Sequence, residues 1–127
     1  MLSGRPWVTR VVVDPARSNR VYVTLSAYRA GIPTAFVLGS LDGGRHFVDL
    51  SGNLPQAPVN DLVIGRGLTL YAATDQGVFA SHTGGLIWLR QGRGLPMVPV
   101  DDIEYDAGNH RLVAATFGRG LYETHVA

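Results

Sequence analysis

The sequence predicts an all-β protein built from repeated four-stranded sheets, because it repeats itself and carries no helical pattern. Three blocks recur in the same order at a spacing of 41 or 42 residues. A period of about 40 to 50 residues with four short strands in each unit is typical of β-propeller blades. Nowhere do apolar residues recur at helical spacing over three turns. The matched blocks are residues 40–47 with 81–88, 54–62 with 95–103, and 70–74 with 112–116.

The chain length predicts an arc of blades and not a closed ring. Propellers close with about four to eight blades, and 127 residues supply about three repeats of this length. We therefore treat residues 1–127 as a single partial β-propeller domain. Its blades are expected at roughly residues 7–51, 58–92 and 99–125, the last one lacking a strand.

Strands are predicted where β-branched and aromatic residues cluster between turn residues. The first blade has them at residues 8–13, 20–25, 35–40 and 46–50. In the second they fall at residues 59–64, 69–74, 77–81 and 87–90, and in the third at residues 100–105, 111–116 and 120–124. Residues 27–34 form the longest irregular stretch and are expected to be a loop.

The first matched block describes a tight turn between two short strands, and we call its two copies box turns 1 and 2. An aspartate oxygen can accept backbone N–H bonds inside such a turn, and glycine adopts positive φ without steric cost. The aromatic residue that ends each copy is expected to be buried between neighbouring blades. The equivalent turn residues are Ser40, Asp42, Gly44 and Phe47 in box turn 1, and Ser81, Thr83, Gly85 and Trp88 in box turn 2.

Box turn 1 fits the pattern Ser-x-Asp-x-Gly-x-x-Trp/Phe, so the chain resembles proteins with Asp-boxes, also called bacterial neuraminidase repeats. Similar repeats occur in sialidases, sortilin-type receptors, xyloglucanase-type glycosidases and the photosystem II assembly factor. Residues 74–79 and 115–122 also resemble strand pairs that end many bacterial members. The resemblance implies the C-terminal blades of such a propeller and an extracellular or periplasmic location. Thr83 departs from the box aspartate, and Phe117 stands where the resemblance leads us to expect histidine.

Composition excludes several classes of function. A net charge of +1 gives no reason to expect nucleic acid or an anionic membrane surface as a partner. The absence of cysteine rules out disulfides and thiol catalysis. Residues 1–6 are too short and too polar for a signal peptide, and no apolar run approaches the roughly 20 residues of a membrane span.

The histidines and acids give little sign of a metal or catalytic site. His46, His82, His110 and His125 are scattered without a metal-ligand spacing, so we predict no metal and no cofactor. Asp42 is explained by its turn. The densest acidic patch is Asp101, Asp102 and Glu104, where strand alternation would place the last two on one face and Asp101 on the other.

Four residues in predicted loops are candidate contacts to a ligand or partner, because loops on a rigid scaffold often carry binding. For Tyr28 and Arg29 we favour an ordinary surface loop over a contact to a ligand or partner. Asp75 is first of all an acid in a hairpin turn, although it lies at a loop end where sugars and metals can bind. Arg119 follows the last predicted turn.

A glycosidase needs two carboxyl groups about 5 to 10 Å apart. The sialidase variant, as the resemblance implies, also needs an arginine cluster and a tyrosine nucleophile. Arg111, Arg119 and Tyr122 are of the right types but form no motif. We therefore predict no catalytic residues and do not expect the chain alone to be an enzyme.

Two functional hypotheses remain. One is a non-catalytic interaction module that assembles with itself or with other chains. The other is the C-terminal piece of a secreted glycoside hydrolase, sialidase- or xyloglucanase-like and catalytically incomplete alone, with carbohydrate as its ligand. An arc of blades should end in two exposed apolar faces, and residues 120–124 should leave an unpaired strand edge. We therefore expect a homo-oligomer that closes a ring, or burial in a larger protein complex.

Overall fold

The computed structural model describes residues 7–26, 37–91, 98–118 and 120–126, which form three neighbouring antiparallel sheets that we call blades 1, 2 and 3. Blade 1 consists of β1 (Trp7–Val13), β2 (Val21–Ser26), β3 (Val37–Ser40) and β4 (Val48–Asp49). In blade 2 the strands are β5 (Val59–Ile64), β6 (Leu70–Thr74), β7 (Gly77–Ser81) and β8 (Leu89–Arg90). Blade 3 contains β9 (Val100–Asp106), β10 (Arg111–Thr116) and β11 (Gly120–His125).

Within each blade the strands pair in chain order, and the first strands of the three blades lie next to one another. Each first strand carries a bulge at the same position of its register, at Thr9, Asn60 and Asp101. A bulged residue is left out of the ladder, and its side chain can be aimed away from its own sheet. The bulges therefore place three equivalent polar side chains where one blade meets the next.

The blades pack face to face through two apolar clusters. The first lies between blades 1 and 2 and includes Tyr22, Val37, Leu62 and Phe79. The second lies between blades 2 and 3 and includes Tyr71. Every residue of β6 and β7 is buried. Because side chains alternate along a strand, blade 2 contributes one face to each cluster.

Each blade therefore has an upstream face, which points toward the blade earlier in the chain, and a downstream face, which points toward the later one. The upstream faces of blades 2 and 3 are buried, and six register-equivalent apolar positions form each of them. These positions are Val59, Leu62, Ile64, Leu70, Ala72 and Phe79 in blade 2, and Val100, Ile103, Tyr105, Leu112, Ala114 and Tyr122 in blade 3.

The structure confirms the predicted fold, an all-β arc of a β-propeller with sheets of four, four and three strands. Two fourth strands are shorter than predicted, since β4 begins at Val48 and β8 at Leu89. The reason is local, because the side chains of Asp42 and Thr83 accept the N–H groups of His46 and Ile87 and keep those residues in the turns. No helix that could span a membrane occurs in the parts of the chain described above.

Candidate functional site

Box turn 1 is held by the side chains of Ser40 and Asp42. The Asp42 Oδ1 atom accepts the N–H groups of Arg45 and His46 at 3.0 and 2.9 Å, and Ser40 Oγ accepts the Gly44 N–H at 2.9 Å. His46 Nδ1 lies 2.6 Å from Asp42 Oδ2, a pair that the sequence analysis did not foresee. This hydrogen bond is the main reason that the pKa of Asp42 falls to about 2. Both carboxylate oxygens therefore serve the turn.

Box turn 2 repeats this arrangement with a hydroxyl in place of the carboxylate. Ser81 Oγ accepts the Gly85 N–H at 2.9 Å, and Thr83 Oγ1 accepts the Ile87 N–H at 2.9 Å. Gly85 has φ of 104°, and a Cβ there would lie 2.8 Å from the Leu50 Cβ. Glycine therefore allows both the backbone conformation and the close approach of this turn to blade 1.

The two aromatic residues of the box turns lie in different surroundings. Trp88 is 2% exposed, and its Nε1 donates to the Leu50 carbonyl at 2.9 Å. Asn53 accepts the Trp88 N–H at 2.6 Å and donates to the Trp88 carbonyl at 2.8 Å. Phe47 is 40% exposed, so the expectation that it is buried between blades was wrong. Trp88 packs on the segment that leaves blade 1, whereas no described blade lies on the corresponding side of Phe47.

The connections that begin after β6 and β10 lie at the same end of blades 2 and 3, and the candidate contact residue Asp75 belongs to the first of them. Asp75 Oδ1 accepts a hydrogen bond from Asn60 Nδ2 at 2.9 Å, and the same amide is 3.0 Å from the Val100 carbonyl of blade 3. Asp75 thereby orients a bond between blades. Phe117 is the exposed counterpart of Asp75 in the last connection. The other candidate contacts, Tyr28, Arg29 and Arg119, lie outside the described residues.

Arg10, Asp61 and Asp102 occupy equivalent positions on β1, β5 and β9. The Asp61 side chain is 3% exposed, and its Oδ1 lies 3.3 Å from the Arg10 Nε. Its carboxylate accepts the N–H groups of Leu62 and Ile103 at 2.8 and 2.9 Å. Burial, and then a hydrogen bond shared with the Asp102 carboxyl, raise the pKa of Asp61 to about 6. Asp61 thus ties all three blades together.

A buried acid of raised pKa beside an exposed acid is a pairing that hydrolases use for proton transfer. Here Asp61 is bound to two backbone N–H groups and is closed off from solvent, so it cannot reach a substrate in this arrangement. No group of three metal-ligating side chains occurs in residues 7–26, 37–91, 98–118 and 120–126. The arrangement is that of a structural acid at a blade junction.

The upstream face of blade 1 is apolar and uncovered. The side chains of Val8, Val11 and Val13 are 55%, 58% and 51% exposed, although their counterparts in blades 2 and 3 are buried or packed in the two clusters. Phe47 is the counterpart in blade 1 of Trp88, whose ring packs toward the earlier blade. The six register-equivalent positions are Val8, Val11, Val13, Val21, Val23 and Leu38.

The downstream face of blade 3 differs from the apolar end that the sequence led us to expect. Glu104 stands where blades 1 and 2 have Val12 and Val63, and Glu123 stands where they have Gly39 and Ala80. Arg111 forms ion pairs across the same face with Asp106 and Glu123, at 3.0 and 2.7 Å. These carboxylates make the face more polar than the upstream face of blade 1, although Leu121 is 73% exposed on it.

Two residues at the blade junctions were missed by the sequence analysis. Asp61 had a usable signal, since it is a lone acid in the apolar strand Val59–Ile64, and an acid inside such a strand is usually buried and paired. Asn53 had none, because its counterpart in the repeat is Gly94. Its bonds to Trp88 depend on the packing of two blades.

Comparison with known proteins supports the fold. No family model matches the sequence, and no curated protein matches it. Among solved structures, the crystal structure of an ancestral GH74 enzyme, a β-propeller glycoside hydrolase, is similar with a TM-score of 0.71 and 23% identity. The likeness covers 88% of this chain and 14% of that chain. This chain therefore spans a small part of the enzyme's length and shares its fold there.

Proposed function

We propose that this chain is a non-catalytic β-propeller module that assembles with further propeller blades through the upstream face of blade 1. One observation carries the proposal. The face keeps apolar residues at all six positions that are buried or packed in blades 2 and 3, yet it lies open in this chain. Exposed apolar patches on one face mark interaction surfaces in soluble proteins. The blade that covers it belongs to a second copy or to a larger complex.

The energetics favour such assembly. Covering a half-exposed valine contributes about 1 kcal/mol, and three valines on this face are exposed to that degree. Phe47 adds a partly exposed ring. The blade junctions inside the chain show how the register of such contacts is set, because Thr9 Oγ1 donates to the Val59 carbonyl at 2.6 Å and Asn60 donates to the Val100 carbonyl.

A second candidate is a piece of a larger glycoside hydrolase that is catalytically incomplete alone. It is supported by the likeness in fold to the GH74 enzyme, of which this chain spans 14%. In that case the carbohydrate would contact the connections after β6 and β10, where Asp75 and the exposed Phe117 lie.

The two candidates differ in measurable ways. We expect the purified chain to leave aryl glycosides unhydrolysed and to bind a dye for apolar surfaces through blade 1. Val11→Glu should remove most of the dye binding and any self-association seen by sedimentation. The matched control is Leu89→Glu, because Leu89 is 60% exposed but lies outside the face. Hydrolysis by the chain, or a Val11→Glu variant with unchanged dye binding and mass, would contradict the proposal.

A further inference from the structure

We propose that the blade covering the upstream face of blade 1 comes from a different propeller sequence and presents a neutral downstream face. This inference rests on the proposed function and specifies the partner. The acidic downstream face of blade 3 prevents a second copy of this chain from taking that place.

The two junctions inside the chain define what the partner must carry. At each one, the bulged residue of the earlier blade donates to the carbonyl of the later blade's first strand, as Thr9 and Asn60 do. Asp61 also accepts the Ile103 N–H of the next blade at 2.9 Å. The Val8 carbonyl and the Val11 N–H are the counterparts of these groups in blade 1. The feature common to both junctions, which a fitting partner must carry, is a hydroxyl or amide donor at its bulge.

Box turn 1 keeps the shape that such a partner requires. Gly85 of box turn 2 comes so close to Leu50 of the earlier blade that a Cβ would collide with it at 2.8 Å. Gly44 has nearly the same positive φ, 96° against 104°, but a Cβ there would meet only the ring of Phe47 at 3.8 Å. The turn is therefore built for close approach by an earlier blade, and no described residue fills that space.

Blade 3 of a second copy does not fit this description. Its bulged residue is Asp101, and a carboxylate accepts hydrogen bonds where this position requires a donor to the Val8 carbonyl. Glu104 would face the valines of blade 1, and no described residue forms an ion pair with it. A carboxylate buried against apolar side chains without a cation is strongly unfavourable. Head-to-tail pairing of identical chains is therefore excluded by charge.

A complementation experiment tests this reasoning with full-length chains. The donor chain carries Asp101→Asn, Glu104→Val and Glu123→Ala, which restore the pattern of Asn60, Val63 and Ala80 in blade 2. It also carries Val11→Glu, which blocks its own upstream face. Mixed with the wild-type chain, the donor should form a 1:1 complex in sedimentation velocity runs. Mixed with the Val11→Glu variant, it should bind at least about a hundredfold more weakly, since that charge would be buried unpaired. The wild-type chain alone should remain monomeric.

Several results would overturn the inference. One is a wild-type oligomer that Val11→Glu dissociates, since a second copy would then cover the upstream face of blade 1. The proposed function would still hold in that case. Another is a donor that folds, by circular dichroism, but stays separate from the wild type. If the donor fails to fold, the milder donor with Asp101→Asn, Glu104→Gln and Glu123→Gln replaces it and faces the same criteria. The proposed function itself would fail on a separate result, namely dye binding that is unchanged in the Val11→Glu variant.

Discussion

Loss of the Asp61 proton should make this protein less stable as the pH rises from about 4 to about 6. Its carboxyl is closed off from solvent beside Arg10 and shares a hydrogen bond with Asp102. Burial and that hydrogen bond raise its pKa from 3.8 to about 6. Between these values the folded chain holds a proton that the unfolded chain has lost.

The sign and size follow from proton linkage. A raised pKa contributes stability that is fully present below the unfolded value and is lost as the pH rises through the folded value. Raising the pKa of Asp61 from 3.8 to about 6 corresponds to at most about 3 kcal/mol of unfolding free energy. Asp42 and Asp106 act in the opposite direction, because their lowered pKa values contribute stability that is lost as the pH falls below about 4. Together, these three carboxyls should contribute most to stability at about pH 4.

Urea unfolding followed by Trp88 fluorescence, at one protein concentration between about pH 4 and about pH 6.5, measures this dependence. Asp61→Asn should flatten it. Asp102→Asn should reduce it, because the amide would donate to the Asp61 carboxylate and favour its charged form. The exposed neighbour Asp101 supplies the control, since Asp101→Asn should leave the slope intact. An unchanged slope in Asp61→Asn would refute the assignment of the pH dependence to this carboxyl.

Three further predictions concern the box turns and the junction between blades 1 and 2. Trp88→Ala should lower the free energy of unfolding by about 3 to 5 kcal/mol, measured by thermal or urea unfolding. Phe47→Ala should lower it by only about 1 kcal/mol, because the Phe47 ring is half-exposed. Equal losses would contradict an uncovered upstream face on blade 1. Asp42→Ala should lower the melting temperature, and Thr83→Asp should leave it unchanged or raise it. A lower melting temperature for Thr83→Asp would argue against the equivalence of the two box turns. Asn53→Ala should lower the free energy of unfolding by about 1 to 3 kcal/mol. Asn53→Asp should lower it less, since the aspartate keeps the acceptor for the Trp88 N–H. If Asn53→Ala left the stability unchanged, this contact would add nothing to the junction.

Local sequence determined the strands, the turns and the repeat. β-Branched runs bounded by glycine specify short strands, and Ser40, Asp42 and Gly44 specify a turn whose side-chain hydrogen bonds fall within seven residues. Such features depend on neighbours in the chain, so they can be predicted without a structure. The fold class followed from them because the same pattern recurs after 41 residues.

Tertiary structure decided the surroundings of equivalent residues. Phe47 and Trp88 occupy the same place in their turns, yet one is exposed and the other buried. Trp88 packs against blade 1, whereas no blade formed by the described residues lies on that side of Phe47. Asp61 acquires its raised pKa from burial and from a carboxyl 41 residues away. The contrast between an apolar first face and an acidic last face likewise appears only once the bulges fix which side chains share a face. Burial and charge depend on what lies across an interface, and a repeat pattern specifies each blade without specifying its neighbours.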